Sequence, residues 1–368
     1  MRRRRFLFRF YFSIVAALVL AGCSAPLPST ELPPARYIQA VPEFPGFHDY
    51  RGIIDLPIKQ SGMDQAGIAD LARTAQIDFI FLADRAQPGD TDFGIGGFTN
   101  DILFIPGGAF DVGGSQIIAA NIHDAIKPNL TPNDLIGAIH DQGGIAIATD
   151  PSKFASSEDY ALADAMEVYS QRSAWLAQSP TTLYLRAIFS GPDHFLAGLD
   201  LRPDANLTLY DRMTAGARVA LLAGMGEADN LNVLGAKVGT LPQLFLFCTT
   251  HLLAQERDSA PLLEALRLGH SYASFDYLGY VGAFTFFGRV GDTTTMMGDE
   301  VRLAPGLSLK TELPAPADRI AMLQNGAEVA SAENATTLDF APKSTGAYRI
   351  EAYRGGRMWI LSNPVYVR

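Results

Sequence analysis

Few side chains in this 368-residue sequence stand where type and spacing alone would do chemistry. The histidines, His48, His123, His140, His194, His251 and His270, include no His-x-His or His-x₃-His pair of the kind that seats two imidazoles on one metal. No Gly-x-Ser-x-Gly elbow is present to raise a nucleophilic serine. Cys248 follows the apolar run Leu244 to Phe247 and is expected to be a small core residue without reactive context. Gly94-Ile95-Gly96-Gly97 lacks the lysine and following helix of a phosphate cradle and is expected to be a loop. What remains are carboxylates that close β-like runs: Asp55, Asp84, Asp150, Glu227 and Asp229, with Arg85 beside Asp84. Each also has a structural use. Asp55 suits a turn, Asp84 an ion pair with Arg85 or another base, and Asp150 a helix cap before Pro151. Glu167, inside a β run, suits burial against Arg172 or Arg186. As a set they carry more weight, because strand C-termini are where barrel sites form.

The elements that position them follow from periodicity. Arg51–Leu56, Asp78–Ala83, Ile102–Pro106, Gln116–Asn121, Ile145–Ala148, Ala165–Tyr169, Val219–Ala223 and Tyr272–Phe275 are strand-like runs. Asp78–Ala83 is apolar on both sides, as a buried parallel strand is. A helix near Asp64–Gln76 carries Ile68, Leu71, Ala72 and Ala75 on one face. Thr131-Pro132 opens another with Leu135, Ile136 and Ile139, and Gly143-Gly144 ends it. Alternating β and α over residues 46–292 predicts a parallel α/β barrel. From 293 to 368 strand runs follow one another through Asn325-Gly326 and Gly355-Gly356, which predicts a small all-β sandwich.

The N-terminus has Arg2 to Arg5, then an apolar run from Tyr11 to Ala21, too short to span a membrane comfortably at about 20 residues. A basic start, a short apolar stretch and small residues at 21–22 make an export signal over 1–22. Residues 23–45 are rich in proline and small polar residues, which suits an extended tether. Without the five arginines of 1–22 the chain has 24 basic against 39 acidic residues, a net charge of about −15 that argues against nucleic acid as a partner. With Cys23 removed from pairing, Cys248 is alone and no internal disulfide is expected.

Two resemblances sharpen this. Leu20-Ala21-Gly22-Cys23 resembles the lipobox of bacterial lipoproteins, which implies lipidation of Cys23 and an extracytoplasmic chain held to a membrane. Ser24 at the next position implies the outer membrane. The body resembles the PHP (polymerase and histidinol phosphatase) superfamily in its secreted metallohydrolase-like branch. The likeness runs in order through Arg51 to Pro57, Ala75 to Arg85, Gly143 to Pro151, Met166 to Tyr169, Ala223 to Asn230, Leu266 to Tyr272 and Trp359 to Val367. It implies a distorted (β/α)7 barrel with a metal cluster at its mouth, activating water against a phosphoester.

The implied ligands depart from that pattern. The paired histidines fall on Asp55 and Pro57, and the histidine after Asp84 on Arg85. The bridging glutamate falls near Ala109 and another histidine at Gln116. The histidine before Pro151 is Asp150, and the closing Asp-x-His is Glu227-Ala228-Asp229. Proline and alanine side chains cannot ligate, and Arg85 puts fixed positive charge where a cation would sit. Three readings stay open. One is a non-catalytic ligand-binding or scaffolding module without cofactor, Arg85 contacting a small anionic ligand, with an envelope protein as another partner class. The second is a phosphoester hydrolase with Mg, Mn or Ca on an oxygen-rich set of Asp55, Asp84, Asp150, Glu227 and Asp229. The third uses two of these carboxylates as a glycoside hydrolase does.

Overall fold

The structure, a computed structural model, describes residues 38–189, 192–226, 231–233 and 236–368. The expected export signal, Cys23, the first part of the expected tether, Glu227 and Asp229 lie outside the described residues.

Strand β1 (His48–Leu56) is buried from Asp49 onward and runs parallel to β2 (Phe79–Leu82). Helix α1 (Gln65–Thr74) connects them; Asp64 caps it by accepting from the Gly67 N–H at 2.8 Å, and Ile68, Ala69 and Ala72 face inward. After Ala83 the chain resumes as β3 (Asp84–Ala86) in a second sheet. The next pair repeats the switch: β4 (Ile102–Ile105) lies parallel to β2, and past Pro106 β5 (Gly107–Val112) lies parallel to β3. The second sheet continues through β6 (Ser115–Ala120), β7 (Ile145–Thr149), β8 (Ala165–Ser170) and β9 (Ala220–Gly224). Its far end returns to β1, where the Met225 N–H donates to the Ile54 carbonyl at 3.0 Å and the Gly226 N–H to the Asp55 carbonyl at 2.8 Å. The two sheets therefore meet on both flanks. Alternate residues of their strands (Ile54, Phe79, Phe81, Leu103, Ile105, Ile118, among others) pack into one core between the sheets; Ile53, Ile80, Leu82 and Phe104 pack into another under the helices.

The strands are not all parallel, which corrects the sequence expectation. β6 is antiparallel to both β5 and β7, and β10 (Thr249–Ala254) is antiparallel to both β1 and β11 (Ser271–Ser274). The cause of the first is Gly113-Gly114, both at positive φ, a two-residue turn that leaves no length for a crossover helix. Helix α2 (Pro132–His140) forms as expected, with Thr131 capping it and Leu135, Ile136 and Ile139 buried.

The later strands are β12 (Thr285–Val290), β13 (Ser308–Gln324), β14 (Ala327–Phe340), β15 (Gly346–Arg354) and β16 (Arg357–Ser362). Asn325-Gly326 and Gly355-Gly356 have positive φ at both positions and make the expected tight hairpins. Pairing of β16 with β11 joins these strands to the sheet that holds β1. A buried ion network adds a second join. Arg349 meets Asp211 of helix α4 (Asp204–Thr214) at 2.7 and 2.9 Å, and Glu351 at 2.5 Å. Arg202 also reaches Glu351, at 3.0 and 2.7 Å. Burial pushes the Glu351 carboxyl up, but the Arg349 charge and the hydrogen bonds from Arg202, Tyr353 and Arg349 outweigh it and hold the group at about 2.

Candidate functional site, a buried carboxyl cluster at the strand ends

Asp55 and Asp150 sit where β1 and β7 end, both in the left-handed region, at φ 62° and 41°. For Asp55 the register of β1 against β2 slips between Ile53 and Leu56, a bulge that turns the carboxyl toward β8 and β9. Asp150 occupies the cap position before Pro151-Ser152-Lys153, as the sequence suggested, but its side chain makes no capping bond. It is drawn inward instead. Lys153 Nζ lies 2.8 Å from Asp150 Oδ2, the Ser173 hydroxyl donates to the same oxygen, and Asn206 Nδ2 lies 3.3 Å from Oδ1. Backbone strain of this kind survives only where the surroundings hold it.

Glu167, on β8, completes the cluster. It is fully buried, and among the described residues neither carboxyl oxygen meets a hydrogen-bond partner within 3.5 Å. The side chain lies across Gly224 of β9, the only residue type that leaves it room. Burial first, and then the Asp55 and Asp150 charges, raise the Glu167 carboxyl well above the ordinary range, against the weaker pull of Ser170 and Lys153. Burial also raises Asp55, to about 7, with the Asp150 charge adding to it and Arg172 opposing. Arg172 lies in the first turn of helix α3 (Gln171–Leu176), and its backbone N–H donates to the Met225 carbonyl at 3.2 Å. Burial thus works against charge on Asp55 and Glu167, while Asp150 has Lys153 as its counter-ion.

Above the cluster opens a small cleft of about 60 Å³, with Asp55, Pro57, Arg85, Gln116, Arg172 and Gly226 in its wall. Arg85 does not pair with Asp84. Its guanidinium is bound by Asp111 of β5, whose other oxygen accepts from Gln116 Nε2 at 2.8 Å. Asp84, buried, turns away and accepts the Lys59 backbone N–H at 2.8 Å, pinning the loop after β1. Of the expected set, then, Asp55 and Asp150 come together, Arg85 lies on the rim, and Asp84 serves the fold. Glu167 and Arg172, which the sequence offered only as packing partners, belong to the cluster.

The cation chemistry of a PHP-type mouth has a poor donor set here. Burial disfavours the charged forms of Asp55 and Glu167, Asp150 is held by Lys153, and Pro57 and Ala109 stand at other positions that the resemblance implies for ligands. Among the described residues no group of three or more His, Cys, Asp or Glu is arranged to hold a metal ion.

A second polar cluster escaped the sequence analysis. His251 Nδ1 lies 2.8 Å from Asp49 Oδ1, and His251 Nε2 lies 3.1 Å from the Ser274 hydroxyl. The order resembles a nucleophilic triad, but Ser274 is fully buried and donates to Asp276 Oδ1 at 2.8 Å, so its proton points away from the imidazole. Arg51 closes the network on Asp276 at 2.7 Å. This is a core-locking network. No sequence spacing reveals it, because β1, β10 and β11 bring its members together across more than 200 positions.

No family model matches the chain, and no curated protein matches it. Among solved structures it is similar to a two-domain protein containing predicted PHP-like metal-dependent phosphoesterase from Bacteroides vulgatus ATCC 8482, at 11% identity and a TM-score of 0.40, covering 91% of this chain and 100% of that one. An engineered protein is similar over 48% of this chain and 36% of its own, at 13% identity and a TM-score of 0.18. Neither likeness is close enough to carry an activity across.

Proposed function

We propose that this chain is a membrane-anchored envelope lipoprotein on a PHP-type barrel with a C-terminal β-sandwich, acting as a ligand-binding or scaffolding module rather than a phosphoesterase. The observation that carries the reading is the Lys153–Asp150 contact at 2.8 Å, with Arg172 facing Asp55. Lys153 occupies Asp150, and the Arg172 charge bears on Asp55, where a divalent ion would otherwise bridge the two carboxyls. The ordered sequence likeness to the PHP superfamily supports the scaffold, and Leu20-Ala21-Gly22-Cys23 supports the anchor.

A second reading rests on Glu167, whose two buried oxygens lack partners among the described residues. A Mg, Mn or Ca ion that drew Asp55, Asp150 and Glu167 closer than they stand here would use them, with phosphoester hydrolysis as its activity.

One experiment separates the two. The purified protein is dialysed against Mg²⁺, Mn²⁺ or Zn²⁺, its metal content is measured, and a generic phosphodiester is offered. The binding-module reading expects substoichiometric metal and no turnover. Stoichiometric metal with turnover abolished by Asp150→Ala overturns it. For the anchor, Cys23→Ser is expected to release the protein from the membrane fraction; retention there refutes lipidation at that residue.

A further inference from the structure

Beside the cleft, on the other side of the Arg85–Asp111 pair, lies a larger cavity of about 260 Å³ that nothing above uses. Its floor is apolar: Phe110, Ile126 and Leu135 are buried there, and Leu130 is half-buried. Its walls are held in place. The Gly89 N–H donates to the Ile126 carbonyl at 2.9 Å, and Asp90 accepts the Gln87 N–H at 2.7 Å, so the loops at 87–90 and 122–131 are tied together. The polar groups at its rim are unequal. Asp111 is already occupied by Arg85 and Gln116. Lys127, exposed at the mouth of the cavity, has no ion pair or hydrogen bond among the described residues. A pocket of about 260 Å³ with an apolar floor and a few polar groups at its rim is close to the lower end of small-molecule sites, enough for a short hydrocarbon chain.

We propose that this cavity binds a small amphipathic monoanion, its hydrocarbon part on Phe110, Ile126, Leu130 and Leu135 and its anionic head on Lys127. A neutral or cationic amphiphile fits the floor equally, but only an anion complements the one uncommitted charge at the rim. The Arg85–Asp111–Gln116 wall keeps Asp111 from repelling that head and separates the cavity from the carboxyl cluster.

The test is calorimetric titration of the purified protein with decanoate, decanol and decylamine. Decanoate is expected to bind at one site, with decanol and decylamine each weaker by about tenfold or more. Lys127→Glu is expected to weaken decanoate by a similar factor, and Gln87→Trp, which fills the cavity from its exposed edge, to abolish binding. Arg172→Gln, in the neighbouring cleft, is expected to leave it unchanged. Absence of saturable decanoate binding overturns the proposal. So does binding that survives Lys127→Glu and Gln87→Trp, or binding lost with Arg172→Gln alone, which would put the ligand in the cleft. The metal and phosphodiester experiment is indifferent to all these outcomes, so either reading can fail without the other.

Discussion

A Cβ placed on Gly224 would lie 2.4 Å from Cδ of Glu167, so a glycine on β9 is the condition for a buried glutamate on β8. The two strands are parallel neighbours, and Glu167 pairs in register with Leu222, two residues before the glycine. The carboxyl cluster thus rests on a backbone approach that no larger residue permits.

Gly224→Ala should therefore lower stability by about 2 kcal/mol, the usual cost of overpacking a rigid core. Equilibrium unfolding of Gly224→Ala, Glu167→Ala and the double variant checks the cause. The double variant is expected to be more stable than the sum of the singles by roughly 1 kcal/mol, since contacting residues couple. Simple additivity would show that the glycine serves something other than the glutamate.

Asp55, raised to about 7, makes stability depend on pH in an unusual direction. Below its ordinary value of 3.8 the group is protonated folded or unfolded and contributes nothing. Between there and about 7 the folded state retains a proton that the unfolded state has lost, so stability falls as pH rises. Asp55→Asn should remove that loss, gaining on the order of 4 kcal/mol at pH 8 and almost nothing near pH 4. Asparagine also tolerates the left-handed backbone at this position. Denaturation of both proteins across this range measures it, and parallel pH curves would remove the titration argument.

Glu351 gives the opposite sign. Held at about 2 by Arg349 and Arg202, it contributes stability above its ordinary 4.5 that is lost as pH falls through about 2. Glu351→Gln should cost about 3 kcal/mol at neutral pH, and the two proteins should converge in acid. Because Glu351 joins β15 to Arg202, and Arg349 joins the same strand to helix α4, the C-terminal strands should be the first to lose protection from amide exchange.

Lys153→Gln frees Asp150 of its counter-ion while leaving a side chain of similar length. If the internal cation is what occupies the cluster, Mn²⁺ affinity should rise by about tenfold, as the loss of one opposing charge allows. Titration followed by electron paramagnetic resonance reads free Mn²⁺ directly. Unchanged affinity would mean that Lys153 is not what keeps a cation from Asp150.

The sequence made the local structure legible wherever one short segment contains its own instructions. Thr131-Pro132 starts a helix, Asn325-Gly326 and Gly355-Gly356 turn hairpins, and the run at Phe79–Leu82 is a doubly buried strand. The second sheet was harder to see. Gly113-Gly114 signals a hairpin in the same way, yet Gly107–Val112 lacks a clear alternating pattern, and without it the antiparallel order of β5, β6 and β7 is hidden. Among candidate site residues, Asp55 and Asp150 were legible because both close strands. Glu167 was legible only as a buried residue.

What the amino-acid order determined by itself is the inventory: which carboxylates end strands, which cations lie near them in the chain, and the absence of paired histidines. Which charge meets which was a tertiary decision. Arg85 is adjacent to Asp84 in sequence, but neighbours on a strand point to opposite faces, so Arg85 reaches Asp111 on β5 while Asp84 takes the Lys59 N–H. Asp55 reaches Arg172 and Glu167 only because β9 returns to β1. Charge state follows burial and neighbours, and both belong to the folded chain.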